Sequence, residues 1–147
     1  MITIQQIDPI EAKNLIDELD AFQLQFYTPE SCHMDCIATL QQDNVFFYGA
    51  IEEQEIIAIG AVKLFQEYGE LKRIYVPPTH RRRGLAKRII NILEKTLLSK
   101  ELSIARLETG IHSHEAIKLY QDLGYSRCEK FGSYKGNPLS VFMEKRL

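Results

Sequence analysis

Five cations crowd one short stretch of this chain: Arg81, Arg82, Arg83, Lys87 and Arg88, with Gly84 among them. A strand-like run, Leu71–Val76, and the pair Pro77-Pro78 lead into it. A strand that turns straight into a helix start is a ready anion site. The first four N–H groups of a helix have no intrahelical acceptor, and the macrodipole places positive potential there. Glycine in the turn lets a phosphate approach the backbone closely. The chemistry that suits this spacing is the holding of a polyphosphate. Neither Gly-x-x-x-x-Gly-Lys-Ser/Thr nor Gly-x-Gly-x-x-Gly occurs, so neither ATP nor NAD is favoured. The bland alternatives are a solvated basic turn and a nucleic-acid patch.

A second segment narrows the choice. Arg81-x-x-Gly84-x-Ala86 follows Ile74-Tyr75-Val76-Pro77, and further on stands His112-Ser-His-Glu-Ala-Ile-Lys-Leu-Tyr-Gln-Asp-Leu-Gly-Tyr125. Together they resemble the two signatures of the GNAT superfamily of acetyl-CoA-dependent N-acetyltransferases. The first is Arg/Gln-x-x-Gly-x-Gly/Ala, and the second is Asn-x-x-Ala-x-x-Leu-Tyr-x-x-x-Gly-Phe/Tyr. Ala116, Leu119, Tyr120, Gly124 and Tyr125 fit the second, and Ser113 stands where asparagine is usual. The likeness covers residues 45 to 145. The tail, from Phe131-Gly-Ser-Tyr134 to Pro138-Leu-Ser-Val-Phe-Met-Glu-Lys145, resembles a subgroup of small bacterial members.

The resemblance implies an α/β single-domain acyl-CoA N-acyltransferase fold, with a mixed and mostly antiparallel central sheet flanked by helices. It implies acetyl-CoA as donor and direct attack of an amine on the thioester, without an acyl-enzyme. Ile74, Tyr75 and Val76 would lie along the acetyl arm, beside a β-bulge. Arg81, Arg82, Arg83, Gly84, Leu85, Ala86 and Lys87 would hold the phosphates, and Ser113 and Tyr120 would complete the cofactor contacts. Tyr120 is the candidate acid for the departing thiolate. Glu70 and Glu108 are the candidate bases, with the edge to Glu108 because Thr109-Gly110 should place it near the sheet's opening. Substrate contacts are expected from Tyr27, His33 and Tyr134. The acceptor expected is a small-molecule amine. The rivals are a protein or peptide N-acetyltransferase, a non-catalytic acyl-CoA sensor and a nucleic-acid module.

Metal is not expected. His112 and His114 are spaced i, i+2 at a helix entry, and Cys32-His33-x-x-Cys36 offers only three ligands; neither suits a closed site. Three cysteines and the absence of a signal-peptide pattern at the start suit a reducing cytoplasm. A net charge of −2 gives no overall attraction to nucleic acid or anionic lipid, and no apolar run reaches bilayer length. Pairing of the closing strands into a homodimer stays open.

These residues need elements to position them. At 147 residues the chain fits one domain, taken as 1–147. Residues 2–7 read as a strand. Asp8-Pro9-Ile10-Glu11 carries an N-cap, a first-turn proline and an acidic N3. Leu15, Leu19, Phe22 and Phe26 recur at helical spacing, and a short helix reaches Gln42. Val45–Ile51 and Ile56–Leu64 form a hairpin across Glu52–Glu55, the second run apolar on both faces and so central. Gly69–Val76 is the next strand. Leu85, Ala86, Ile89, Ile90, Leu93 and Leu97 make the buried face of the helix after the loop. Leu102–Thr109 is a strand, Ser113–Leu123 a helix closed by Gly124, and Tyr125–Glu129 and Ser140–Lys145 closing strands, with Cys128 in the core.

Overall fold

The computed structural model describes residues 1–25 and 36–147. Strand β1 (Ile2–Gln6) leads through Asp8 into a 3₁₀ turn (Pro9–Ala12) and helix α1 (Lys13–Leu24). The capping box forms as the residue types demand. The Asp8 carboxylate accepts from Ile10 N at 3.0 Å, and Glu11 reaches back to Asp8 N at 3.1 Å. Helix α2 (Ile37–Leu40) precedes the hairpin of β2 (Val45–Glu52) and β3 (Glu55–Leu64). Its two turn residues, Glu53 and Gln54, have φ of 51° and 69°. This mirror-image turn suits the right-handed twist of the strands.

Strand β4 (Gly69–Tyr75), helix α3 (Leu85–Ser99), strand β5 (Ile104–Gly110), helix α4 (His114–Asp122), strand β6 (Ser126–Arg127) and strand β7 (Ser140–Arg146) complete the chain. The seven strands form one sheet in the order β1-β2-β3-β4-β5-β7-β6. Every pairing is antiparallel except β4 with β5. This is the mixed, mostly antiparallel sheet with helices that the resemblance implied.

Helices α3 and α4 cover one face. Leu85, Ile89, Ile90, Leu93 and Leu97 of α3 are buried with Ile117 and Tyr120 of α4 against Ala58, Val62, Leu71, Ala105, Leu107, Val141 and Met143. Each such leucine or isoleucine contributes about 1.5–3 kcal/mol relative to exposure. On the opposite face, Leu15, Ile16 and Leu19 of α1 and Leu40 of α2 pack on Val45, Phe47, Ile59, Ala61 and Tyr75. That second layer reaches only the β1–β4 half of the sheet. Beyond β4 the same face is covered by the aromatic residues of the segment between β6 and β7 instead.

Three expectations need correction. Phe22 is 39% exposed rather than part of the buried stripe, and Ile16 takes its place, because α1 rolls its Leu15–Ile16–Leu19 edge onto the sheet. Phe26 lies outside the described residues. The first closing strand is two residues long rather than five, and it pairs with β7 only at Ser126–Glu144 and Arg127–Met143. Cys128 therefore sits past the strand and is half-buried, though its N–H still bonds the Phe142 carbonyl at 2.9 Å.

Gly69 shows how closely α3 sits. A Cβ there would stand 2.0 Å from Cδ2 of Leu97, itself fully buried. Gly69→Ala is expected to destabilise the chain by about 1–3 kcal/mol, the usual range for overpacking, as measured by urea unfolding.

Candidate active site

The site begins where the sheet comes apart. Strands β4 and β5 pair only at Gly69–Ala105, Glu70–Arg106 and Leu71–Leu107. On its other edge β4 keeps pairing with β3, but with an extra residue: Ile59 faces Tyr75 while Ala61 faces Lys72. Gly60 therefore stands opposite two residues, Arg73 and Ile74, and Arg73 takes φ of +56°. This is a β-bulge on β4, and it bends the strand away from β5. It also flips the side-chain phase. Leu71 faces α3; without the extra residue Ile74 would face away from that helix and Tyr75 toward it. Instead Ile74 packs on the α3 side, and Tyr75 turns to α1, where its hydroxyl donates to Glu18 at 2.8 Å. The bulge was expected beside Val76; it lies three residues earlier. No glycine or other sequence signal marks Arg73 as the residue with positive φ. It is held there in an ion pair with Asp20 of α1, Nη1 to Oδ1 2.6 Å.

Past the opening, β4 leads through Pro77 into a 3₁₀ turn (Pro78–His80) and the arginine loop. Gly84 is the N-cap of α3, with φ of 73°, and Arg82 has φ of 64°. The first N–H of the loop–helix junction to find a helical acceptor is Arg88, bonding the Gly84 carbonyl at 3.1 Å. From Arg82 to Lys87 the backbone N–H groups donate to no described residue. Apart from the adjoining backbone, no atom of a described residue lies within 4 Å of where a Gly84 Cβ would stand, so the described residues leave the space beside the turn open. A run of outward N–H groups at the start of a fifteen-residue helix is an anion cradle.

The side chains divide the work differently from the expectation that all five cations surround the ligand. Arg81 Nε donates to the Val76 carbonyl at 2.8 Å, and its guanidinium sits 6.0 Å from the Phe22 ring centroid. Arg83 grips Glu52 of the hairpin turn at 2.6 and 3.2 Å and lies 3.3 Å from His80 Nδ1. Arg88 donates to the Ile2 carbonyl at 3.2 Å. These three brace the loop against β1, β2 and β4. Arg82 and Lys87 are exposed and form no ion pair with a described residue, so they remain for a ligand.

Tyr120 approaches the opening from the helical face. It is 8% exposed, lies edge-on to Tyr125 with centroids 5.9 Å apart, and its hydroxyl bonds no described residue. Burial, aided by the nearby Glu108 carboxylate, keeps its phenol protonated well above the usual range. The end of α4 fixes its depth: Tyr125 N bonds the Tyr120 carbonyl at 2.9 Å and Gly124 N bonds Gln121, with Gly124 at φ of 100°. This is the two-bond stop that glycine at C′ favours. Ser113 is the N-cap residue of α4.

From the other face come Glu70, Lys72 and Glu108. Glu70 and Lys72 flank Leu71, and Glu108 follows Leu107, so all three point away from α3. Glu70 is 4% exposed, and burial pushes its carboxyl up to about 7. The neighbouring Glu108 charge acts in the same direction, while the Tyr134 hydrogen bond and Lys63 oppose it. Burial likewise pushes Lys72 down to about 8. Tyr134 donates its hydroxyl proton to Glu70 Oε2. Glu108 Oε2 accepts from Ser140 Oγ at 2.7 Å. Phe131, Tyr134 and Phe142 pack edge to face around these groups, with Tyr68 against Phe131. Lys72, whose ammonium is 3.3 Å from Glu70, was not singled out in the sequence; its alternation with Glu70 on one strand was the available signal. Tyr27 and His33 lie outside the described residues, as do Cys32 and its part of the Cys-His-Cys group.

A loop of N–H groups with no described acceptor opens onto a wedge between parallel strands, with titratable groups on both faces, the arrangement expected of an acyl-CoA-dependent transferase. Residues 13–125 match the Acetyltransferase (GNAT) family. The IAA acetyltransferase of Azospirillum brasilense is 34% identical over 150 residues, 99% of this chain and 98% of its own. A putative acyl-CoA N-acyltransferase from Klebsiella pneumoniae superposes with a TM-score of 0.84 at 36% identity, covering 100% of this chain and 98% of that one. The PaiA N-acetyltransferase of Thermoplasma acidophilum, solved with coenzyme A, shares the fold at a TM-score of 0.75 and 18% identity over 100% and 99% of the two chains. The chain belongs to the GNAT family of N-acetyltransferases, which use acetyl-CoA. Among the described residues no helix is long and apolar enough to cross a membrane.

If Arg82 and Lys87 are the cations left for the phosphates, Arg82→Ala with Lys87→Ala should weaken coenzyme A binding about tenfold at low salt. Calorimetry with coenzyme A and with its 3′-dephospho form would show which phosphate they meet.

Proposed function

We propose that this chain transfers the acetyl group of acetyl-CoA to the amine of a small metabolite by direct attack on the thioester. The observation that carries this reading is the opening between β4 and β5, with unpaired N–H groups at one end, Tyr120 on one face and Glu70 with Glu108 on the other. The relative matching over its whole length is named for the acetylation of IAA, which supports a small acceptor rather than a protein. Val45–Glu52 to Ser140–Arg146 all belong to one sheet, so the single domain 1–147 holds the whole site in this reading.

Acetyl-CoA would be held with its phosphates on the backbone from Arg82 to Lys87 and its acetyl-bearing arm along Ile74, Tyr75 and Val76. Ser113, at the start of α4, flanks the same arm. An amine with a pKa of about 8 to 10 arrives mostly as ammonium and must lose a proton before its lone pair can attack. Glu70 takes that proton in this reading, in place of the edge given to Glu108. Glu70 is the buried carboxylate with a pKa of about 7, matched to work near neutral pH. Glu108, which accepts from Ser140, is the second carboxyl group at the mouth and favours a cationic acceptor there in this reading. The neutral nitrogen adds to the thioester carbonyl carbon, and the carbon–sulfur bond breaks. Tyr120 gives its phenolic proton to that sulfur, and its high pKa keeps the proton in place until the sulfur needs it. The second proton, which the nitrogen sheds on becoming an amide, then restores the Tyr120 phenol. Tyr134 lines the acceptor side with Phe131 and Phe142.

A panel of small amines and short peptides, assayed for acetylated product by mass spectrometry with acetyl-CoA, tests the reading. Turnover on small amines and none on peptides is expected; the reverse outcome would make the chain a protein acetyltransferase. Tyr120→Phe should lower kcat by roughly a hundredfold, the scale of one lost proton donor, while leaving the affinity for acetyl-CoA within about twofold.

A further inference from the structure

Three groups from two separate segments meet at a single oxygen atom. Tyr134 donates to Oε2 of Glu70, Lys72 Nζ lies 3.3 Å from the same atom, and Lys72 Nζ is 3.4 Å from the Tyr134 hydroxyl. The Lys72 ammonium also sits 5.8 Å from the Tyr134 ring centroid. Oε1 of Glu70 accepts from no described residue. The carboxylate is thus held by one oxygen and presented by the other. Sixty-four residues separate Tyr134 from Glu70, and the ring is fixed by Phe131 at 5.5 Å and Phe142 at 5.3 Å. A hydroxyl placed so firmly on a buried carboxylate is oriented for that carboxylate, whatever small molecule binds beside it.

We propose that Tyr134 is a positioning residue which, with Lys72, clamps Oε2 of Glu70 and leaves Oε1 to receive the proton of the incoming amine. This rests on the acetyl-transfer reading for its chemistry and replaces the direct substrate contact expected of Tyr134. The step moves one proton, from the acceptor's ammonium to Glu70, and needs no other reactant. The clamp addresses a conflict at the site. A buried carboxylate beside a second carboxylate tends to stay protonated, and a protonated Glu70 cannot act as a base. The groups that bear on it are Lys72 on its own strand, Lys63 on β3, Glu108 on β5, Tyr68 in the preceding turn and Tyr134. Burial and Glu108 raise it; the Tyr134 bond and Lys63 lower it. Two donors on Oε2 favour the ionised form and also fix its rotation.

The sign of the test follows. Glu70 must be deprotonated to work, so activity falls as the pH drops through its pKa of about 7. Loss of the Tyr134 hydroxyl removes a bond to the ionised form, so the pKa should rise. In protein labelled with ¹³C at glutamate carboxyls, the Glu70 signal, assigned by its loss in Glu70→Gln, should titrate at least half a pH unit higher in Tyr134→Phe, as expected for one lost hydrogen bond. Lys72→Met should shift it the same way, and thermal melting of each variant confirms folding. The acid limb of kcat/KM for the best amine of the panel should move with the NMR midpoint, and acetyl-CoA affinity should not. An unchanged Glu70 midpoint in both folded variants would overturn the clamp whether or not any amine is acetylated. A moved midpoint with an unmoved acid limb would deny Glu70 the role of base while leaving acetyl transfer intact. A panel without turnover would instead count against the acetyl-transfer reading, and with it the proton-accepting role given to Oε1.

Discussion

Strand β4 bonds to β3 along its whole length but to β5 only as far as Leu71, and the rest of the molecule is arranged around that loss of pairing. Main-chain groups freed in the interior of a sheet are costly unless something takes them up. The opening is stable because other contacts hold its edges. Arg73, in a left-handed conformation, is tied to Asp20; Tyr75 is tied to Glu18; and both partners lie on α1. On the opposite face Ile89 sits so near Gly60 that a Cβ there would stand 2.5 Å from it. Helix α1 therefore anchors the bent strand from one side and α3 supports it from the other. The strand edges that face each other past Leu71 keep hydrogen-bonding groups that no strand pairing uses.

The two ends of the opening solve different electrostatic problems. At the arginine loop, cations are bonded back to carbonyls and to Glu52, and the ligand is left chiefly the backbone N–H groups and two flexible side chains. The loop is thereby braced without any ligand, and a braced loop limits the ordering that binding would have to impose. At the aromatic end, charges are buried and set against one another, so that small changes in geometry alter protonation rather than binding. A basic cluster on the surface and an acidic cluster under aromatic rings are the same tool, oriented charge, applied at high and low dielectric.

Much of this was legible in the sequence, for local reasons. The capping box, the run from Ile56 to Leu64 that is apolar on both faces, the α3 stripe and the Gly124 stop each declare themselves within a few residues. The turn from β4 into α3 was legible because strand, proline, glycine and helix follow one another directly. What was hidden depends on distant partners. Arg73 looks like any arginine in a strand, and its ion pair with Asp20 and the changed phase of Tyr75 show themselves only in the folded chain. Phe22 has the right spacing to be buried, yet burial is decided by which edge of α1 the sheet meets. Tyr134 and Glu70 are joined through a segment with no regular structure, so no periodicity could link them. The fate of the arginines followed the same rule: their charge was visible, and the carbonyls that claim them were not.

The segment between β6 and β7 has a further consequence for how such a chain can change over generations. Its rings, Phe131 and Tyr134, hold one another and Phe142 by edge-to-face contact, and it makes few main-chain bonds to the sheet. Tyr134 ties the segment to Glu70 of β4, so substitutions at that ring reach the strand, while the exposed positions Lys130, Ser133 and Lys135 carry no such bond. Variation can thus accumulate at those exposed positions faster than at the ring that holds the strand, and a lineage can alter the rim of the opening while Tyr134 and its carboxylate partner are kept.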